Sequence, residues 1–78
     1  MNIRELERLA DVRRLIASGE AKQRRILAGF SLSEVAGPCN VGPQTVWRWE
    51  EGIRIPRGQT ALRYGQVLAM MQPIGEAS

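Results

Sequence analysis

Residues 29–52 read GFSLSEVAGPCNVGPQTVWRWEEG. Ser31 and Glu34 stand in the S-x-x-E spacing of a capping box, worth about 1 kcal/mol at a helix start. Leu32, Val35, Ala36 and Cys39 follow at helical spacing, so a short helix begins after Ser31. Pro38 lies near its end and predicts a helix that is short or locally irregular. Asn40 suits the left-handed turn that must follow. Gly42 then caps a second helix, with Pro43 at the first helical position, where a missing N–H costs nothing. That helix runs from Pro43 to about Glu51 and ends at Gly52.

Apolar residues recur at helical spacing on both sides of this centre, and no segment alternates as a half-buried strand does. Residues 2–17 place Ile3, Leu6, Leu9, Ala10, Val12 and Ile16 along one broad stripe. Asn2 is the predicted cap, and Glu5 and Glu7 sit early, where the helix dipole favours acids. Gly19 ends this helix, and Ser18 is the predicted cap of the next. The latter runs to about Ala28, with Ile26 and Leu27 as its apolar face and Gly29 as its stop. After the loop IRIPRG, a last helix starts near Gly58 or Gln59 and continues to about Met71. Ala61, Leu62, Gly65, Leu68 and Ala69 give it a face. Pro73 closes the structured part, and residues 73–78 are expected to be a mobile tail. The fold class is all-α, a five-helix arrangement in which residues 1–18 form an extra helix before the unit 19–72.

Composition limits the chemistry. The 78 residues make one small domain with a modest core. The net charge is +3, carried by ten Arg and one Lys. Arginine's planar five-donor fork suits phosphates and base edges. A charge of this size permits a nucleic-acid partner without establishing one. There is no His, and Cys39 is the one cysteine, so a His/Cys metal site and an internal disulfide are both excluded. Cys39 reads as a buried thiol acting as a small hydrophobe. No nucleophile–base pair or phosphate loop is present, so no enzyme activity and no cofactor are expected. The absence of a long apolar run and of a signal-peptide core leads us to expect no membrane partner and a cytoplasmic protein.

Short helix, tight turn, short helix is the spacing of a unit whose second helix enters the DNA major groove. Two such helices cannot bury their own apolar faces, so the flanking helices must complete the core. Each residue turns about 100°, which sets Trp47 and Trp49 on opposite faces of helix 43–51. Val46, Trp49 and Glu50 share one side, assigned to the core. Gln44, Trp47, Arg48 and Glu51 share the other. Gln and Arg are the residues that read adenine and guanine edges in bidentate fashion.

The run GFSLSEVAGPCNVGPQTVWRWEEGIRIP resembles the lambda-repressor-like helix-turn-helix family of phage repressors, Cro proteins and related bacterial regulators, in an actinobacterial or phage style. Gly29 to Gly52 match the family pattern without a gap, and the likeness extends more loosely from about Glu20 to Met71. The resemblance implies that Pro43, Gln44 and Arg48 occupy base-reading positions, with Trp47 beside them. It places Ser31 and Thr45 at phosphate-contacting positions, together with Arg54 and Arg57 in the following loop. Lys22 and Arg24 are further phosphate candidates. Arg25 and Glu50 fall where family members form a partly buried ion pair. Four departures stand out. Leu32 replaces a polar contact, Gly42 replaces the usual Ser cap, Pro43 cannot hydrogen-bond a base, and Trp47 replaces a small residue. Much of the readout therefore falls to Gln44 and Arg48.

Three roles are open to Trp47: a thymine-methyl or sugar contact, packing against the extra helix, or a partner surface. Two are open to helix 2–17: packing on the domain or pairing two chains, with Arg13 interrupting any clean heptad. Arg63, on the last helix, reads as simply solvated. The function expected is a sequence-specific double-stranded DNA-binding transcriptional regulator, a small phage-type repressor acting by promoter occlusion. Its partner is operator DNA, with a homodimer possible on DNA and no small-molecule ligand. An antitoxin-like or adaptor module and a DNA-architectural recombination factor are the rival readings.

Overall fold

The computed structural model describes residues 1–71; the expected tail at 73–78 lies outside the described residues. Among these residues there are five helices and no strand: α1 (Ile3–Ser18), α2 (Glu20–Ala28), α3 (Leu32–Cys39), α4 (Pro43–Glu50) and α5 (Gly58–Met70). The all-α expectation holds. None of them is long and apolar enough to cross a membrane.

The helix boundaries follow local chemistry. Asn2 and Ser31 each open a reciprocal capping box, with Glu5 and Glu34 as the returning acids. Gly19 and Gly29 close α1 and α2 in the left-handed region. Asn40 does the same for α3 at φ 59°, and its N–H and that of Val41 return to the carbonyls of Gly37 and Ala36. An amide side chain tolerates that conformation better than other non-glycine residues do. Pro38 sits in the last turn of α3, so the hydrogen bond it cannot donate is one of the last the helix would make. One boundary differs from expectation. Gly19 both ends α1 and begins α2, and Ser18 contributes only a 3.3 Å bond from the Glu20 N–H to its Oγ.

The core draws on all five helices. Val12, Leu15 and Ile16 of α1 meet Ala21 of α2, Val35, Ala36 and Cys39 of α3, Val46 and Trp49 of α4, and Tyr64 and Leu68 of α5. The Trp49 and Tyr64 rings pack tilted at 42° with centroids 4.8 Å apart. Helix α1 packs on α5 and α2, and α3 on α4 and α5. Helices α1 and α5 approach closely at Gly65, where a Cβ would lie 2.5 Å from Arg8 Cδ and 3.0 Å from Val12 Cγ2. Arg8 reinforces this crossing by donating from Nη1 to the Gly65 carbonyl at 3.2 Å.

Two apolar faces differ from the sequence reading. In α2, Ile26 and Leu27 are exposed, Leu27 at 75%, and Ala21 and Arg24 turn inward instead. In α1, Leu9, Val12, Leu15 and Ile16 are buried, whereas Ile3, Leu6 and Ala10 face outward. At 100° per residue both sets lie on one broad arc, and only the half that holds Leu9, Val12, Leu15 and Ile16 is buried. The stripe is wider than the surface that the other helices cover.

Candidate nucleic-acid interface

Helix α4 is held from beneath and its outer face is left open. Gly42 is extended at φ −80° and ψ 161°, and Pro43 starts the helix. Val46 and Trp49 anchor it in the core. Beside them Arg25 of α2 grips Glu50 with both arms, Nε to Oε2 at 2.6 Å and Nη2 to Oε1 at 3.0 Å. The third donor of Arg25 goes to the Phe30 carbonyl at 3.1 Å. Only 15% of the Arg25 side chain and 1% of the Glu50 side chain are exposed. This bidentate fork fixes the rotation of α4 about its own axis, and hence what faces outward. The hydrogen bond to Glu50 raises the Arg25 pKa against the opposing effect of burial.

The outward face consists of Pro43, Gln44, Trp47 and Arg48, all exposed, with Thr45 half-buried at its edge. Trp47 is 44% exposed and stands outside the core cluster. The loop after α4 is tied back to it: the N–H groups of Ile53 and Arg54 both reach the Arg48 carbonyl, at 2.9 and 3.2 Å. Gly52 makes this reversal at φ 73°. One groove results. It brings together Thr45, Arg48, Arg54 and Arg57, with Thr60 of α5 also in its lining. Among the described residues, none of these three arginines is in an ion pair.

The other candidates lie apart from this groove. Ser31 is exposed at the start of α3; its Oγ accepts from the Glu34 N–H at 3.0 Å while its own N–H donates to Glu34 Oε1 at 2.8 Å. The hydroxyl proton is uncommitted by that pattern. Lys22 pairs with Glu51 at 3.2 Å on the surface, a contact worth well under about 1 kcal/mol that an anion can displace. Arg24 requires a correction. It is only 8% exposed, with Nε and Nη2 on Glu20 at 3.1 and 2.7 Å and Nη1 on the Leu68 carbonyl at 2.9 Å. Its guanidinium joins α2 to α5 and has no face left for a phosphate. The signal was present in the sequence: Arg24 lies four residues after Glu20, and shares a helical face with Ala21 and Arg25.

Two residues went unassigned in the sequence reading. Thr60 shares the arginine groove, and Tyr64 stacks on Trp49. The Tyr64 hydroxyl is buried with no hydrogen-bond partner among the described residues, and burial raises its pKa, with Glu50 adding to the effect. Burial likewise pushes the Cys39 thiol up, as fits an inert core residue. Among the described residues no group of acidic or thiol side chains is placed to hold a metal ion.

No curated protein and no solved structure is detectably similar to the chain. The pattern of the helix-turn-helix family matches residues 22–69, from within the first turn of α2 to the last turn of α5. This is a family of DNA-binding transcription regulators, not of enzymes. With most of its length covered, and with α3 and α4 forming the paired helices, this chain belongs to the lambda-repressor-like helix-turn-helix family.

Proposed function

We propose that the protein is a sequence-specific regulator that docks α4 in the major groove of an operator and represses by keeping polymerase off an overlapping promoter. The observation that carries this reading is the groove in which Arg48 of α4 meets the loop arginines Arg54 and Arg57, on a helix whose Gln44 and Trp47 are also exposed. Gln44 and Arg48 have the donor and acceptor patterns for base edges. Arg54 and Arg57 share the groove with Arg48, at positions suited to phosphate. Pro43 and Trp47 supply apolar contact, for which a thymine methyl or a deoxyribose is the natural counterpart. Ser31, Thr45 and Lys22 complete the proposed backbone contacts. A regulator of this kind works in the cytoplasm of a bacterial or phage-infected cell. The exposed Ile3, Leu6 and Ala10 of α1 offer a surface for pairing two chains on DNA.

The rival reading of a protein-interaction module rested on Leu32 and Trp47. Leu32 packs against the core, which leaves Trp47 alone to favour it. Selection of bound sequences from random duplexes, followed by gel shift, tests the proposal. Arg48→Ala is expected to weaken binding to the selected site by about 1–3 kcal/mol and to relax one base position. Equal affinity of variant and wild type, or failure to enrich any sequence, would overturn it. Symmetric half-sites about one helical turn apart would mark a dimer.

A further inference from the structure

The family pattern begins at residue 22, so α1 lies outside it. The structure sets the first turns of α1 beside the first turns of α5. Asn2, Arg4 and Arg8 face Gln59, Arg63 and Gln66 across a second groove, with Glu5 as its one acid. The lining carries three arginines against one glutamate. Glu5 closes the capping box of α1, its carboxylate accepting from the Asn2 N–H at 3.0 Å, and the lining keeps a net charge of two positive. Arg8 is held in place by its bond to the Gly65 carbonyl. Arg4 and Arg63 are exposed and, among the described residues, have no ion-pair partner. The amides of Asn2, Gln59 and Gln66 add neutral donors around them.

The position of this groove matters as much as its charge. Gln59 lines it, and the next residue, Thr60, lines the groove that holds Arg48, Arg54 and Arg57. The two basic grooves therefore adjoin at the first turn of α5. We propose that α1 is part of the DNA-binding surface, with Arg4 and Arg63 holding phosphates of the duplex beyond those gripped by the loop after α4. Arg63, which reads from the sequence as merely solvated, acquires a partner role because α1 brings Arg4 opposite it. The extra helix thus lengthens the footprint on DNA without adding base contacts. This inference rests on the DNA-binding reading above.

Phosphate contacts show in the salt dependence of binding, and each one neutralised contributes about 0.9 to the slope of log K against log salt on duplex DNA. The test uses the full chain, a long mixed-sequence duplex and a sodium chloride series read by fluorescence anisotropy. The double variant Arg4→Gln/Arg63→Gln is expected to lower the slope by about two units. Discrimination between selected and mixed sequence stays unchanged. Arg14→Gln, an exposed arginine farther along α1 that pairs with Asp11, is expected to leave the slope alone. Circular dichroism confirms that each variant folds, and all three positions are exposed. An unchanged slope in the double variant, with Arg57→Ala still lowering it, would overturn the second groove and leave DNA binding standing. A loss in Arg14→Gln equal to that per groove arginine would reduce the effect to net charge and overturn the proposal. So would an unchanged slope with loss of binding to polyglutamate, which would assign the groove to an acidic protein. No salt-dependent binding of wild type to any duplex would overturn both readings.

Discussion

Replacing Glu50 by Ala tests how α4 is held. The carboxylate is 1% exposed and takes two bonds from Arg25, at 2.6 and 3.0 Å. Its removal leaves a guanidinium that is only 15% exposed with one remaining acceptor, the Phe30 carbonyl. Breaking a buried pair from one side costs about 3–5 kcal/mol, because the surviving charge stays desolvated and unpaired. A chain of 78 residues has a total stability of about 4–12 kcal/mol. The single change thus removes a large part of it. In urea, with a slope near 1 kcal/mol per molar, the midpoint should fall by about 3 M or more. Arg25→Met alone should cost a similar amount, since it strands a buried carboxylate. The double variant Arg25→Met/Glu50→Leu leaves neither charge behind and should lie within about 1–2 kcal/mol of wild type. Its affinity for DNA should nonetheless drop, because the fork no longer sets the rotation of the outward face. The reasoning is refuted if Glu50→Ala costs less than about 1 kcal/mol, or if the double variant loses the sum of the singles.

Arg57→Ala should weaken binding to all sequences alike and lower the salt slope by about one unit; a slope equal to that of wild type would remove its phosphate contact. Tyr64→Phe should be neutral or stabilising by up to about 1 kcal/mol at neutral pH, since its hydroxyl has no partner among the described residues. The same change should flatten the alkaline loss of stability. The folded phenol titrates above its ordinary 10.0, so above that pH the unfolded chain releases a proton that the folded one keeps, and stability falls as pH rises. Unchanged alkaline melting in the variant would exclude Tyr64 as the cause. Gly65→Ala gains helix propensity but sets a Cβ 2.5 Å from Arg8 Cδ, for a net loss of about 1–2 kcal/mol. Arg8→Ala should recover about 1 kcal/mol of it, and strict additivity of the two changes in thermal melts would show that α1 and α5 do not meet there.

Local signals carried the boundaries. Capping boxes at Asn2 and Ser31, glycines at 19 and 29, Asn40 in the left-handed turn and Gly42-Pro43 before α4 all act over four residues or fewer. Chain order alone therefore specifies them. The opposite facing of Trp47 and Trp49 was legible for the same reason, because the helical repeat is a property of the backbone. Which apolar residues would be buried was not. In α2 the visible hydrophobes Ile26 and Leu27 lie outside, and Arg24 lies inside on Glu20 and the Leu68 carbonyl. A charge can be buried only where neighbours from other helices neutralise and bond it, and the carbonyl comes from a residue 44 positions away. In α1 one broad apolar arc is present, and which half of it is buried depends on docking against α5, where Gly65 leaves room for Arg8 and Val12. The opposition of Arg4 and Arg63 arises from that same docking. Sequence sets where helices start, stop and repeat; burial and charge clusters depend on which helix packs on which, and that is decided only in the assembled fold.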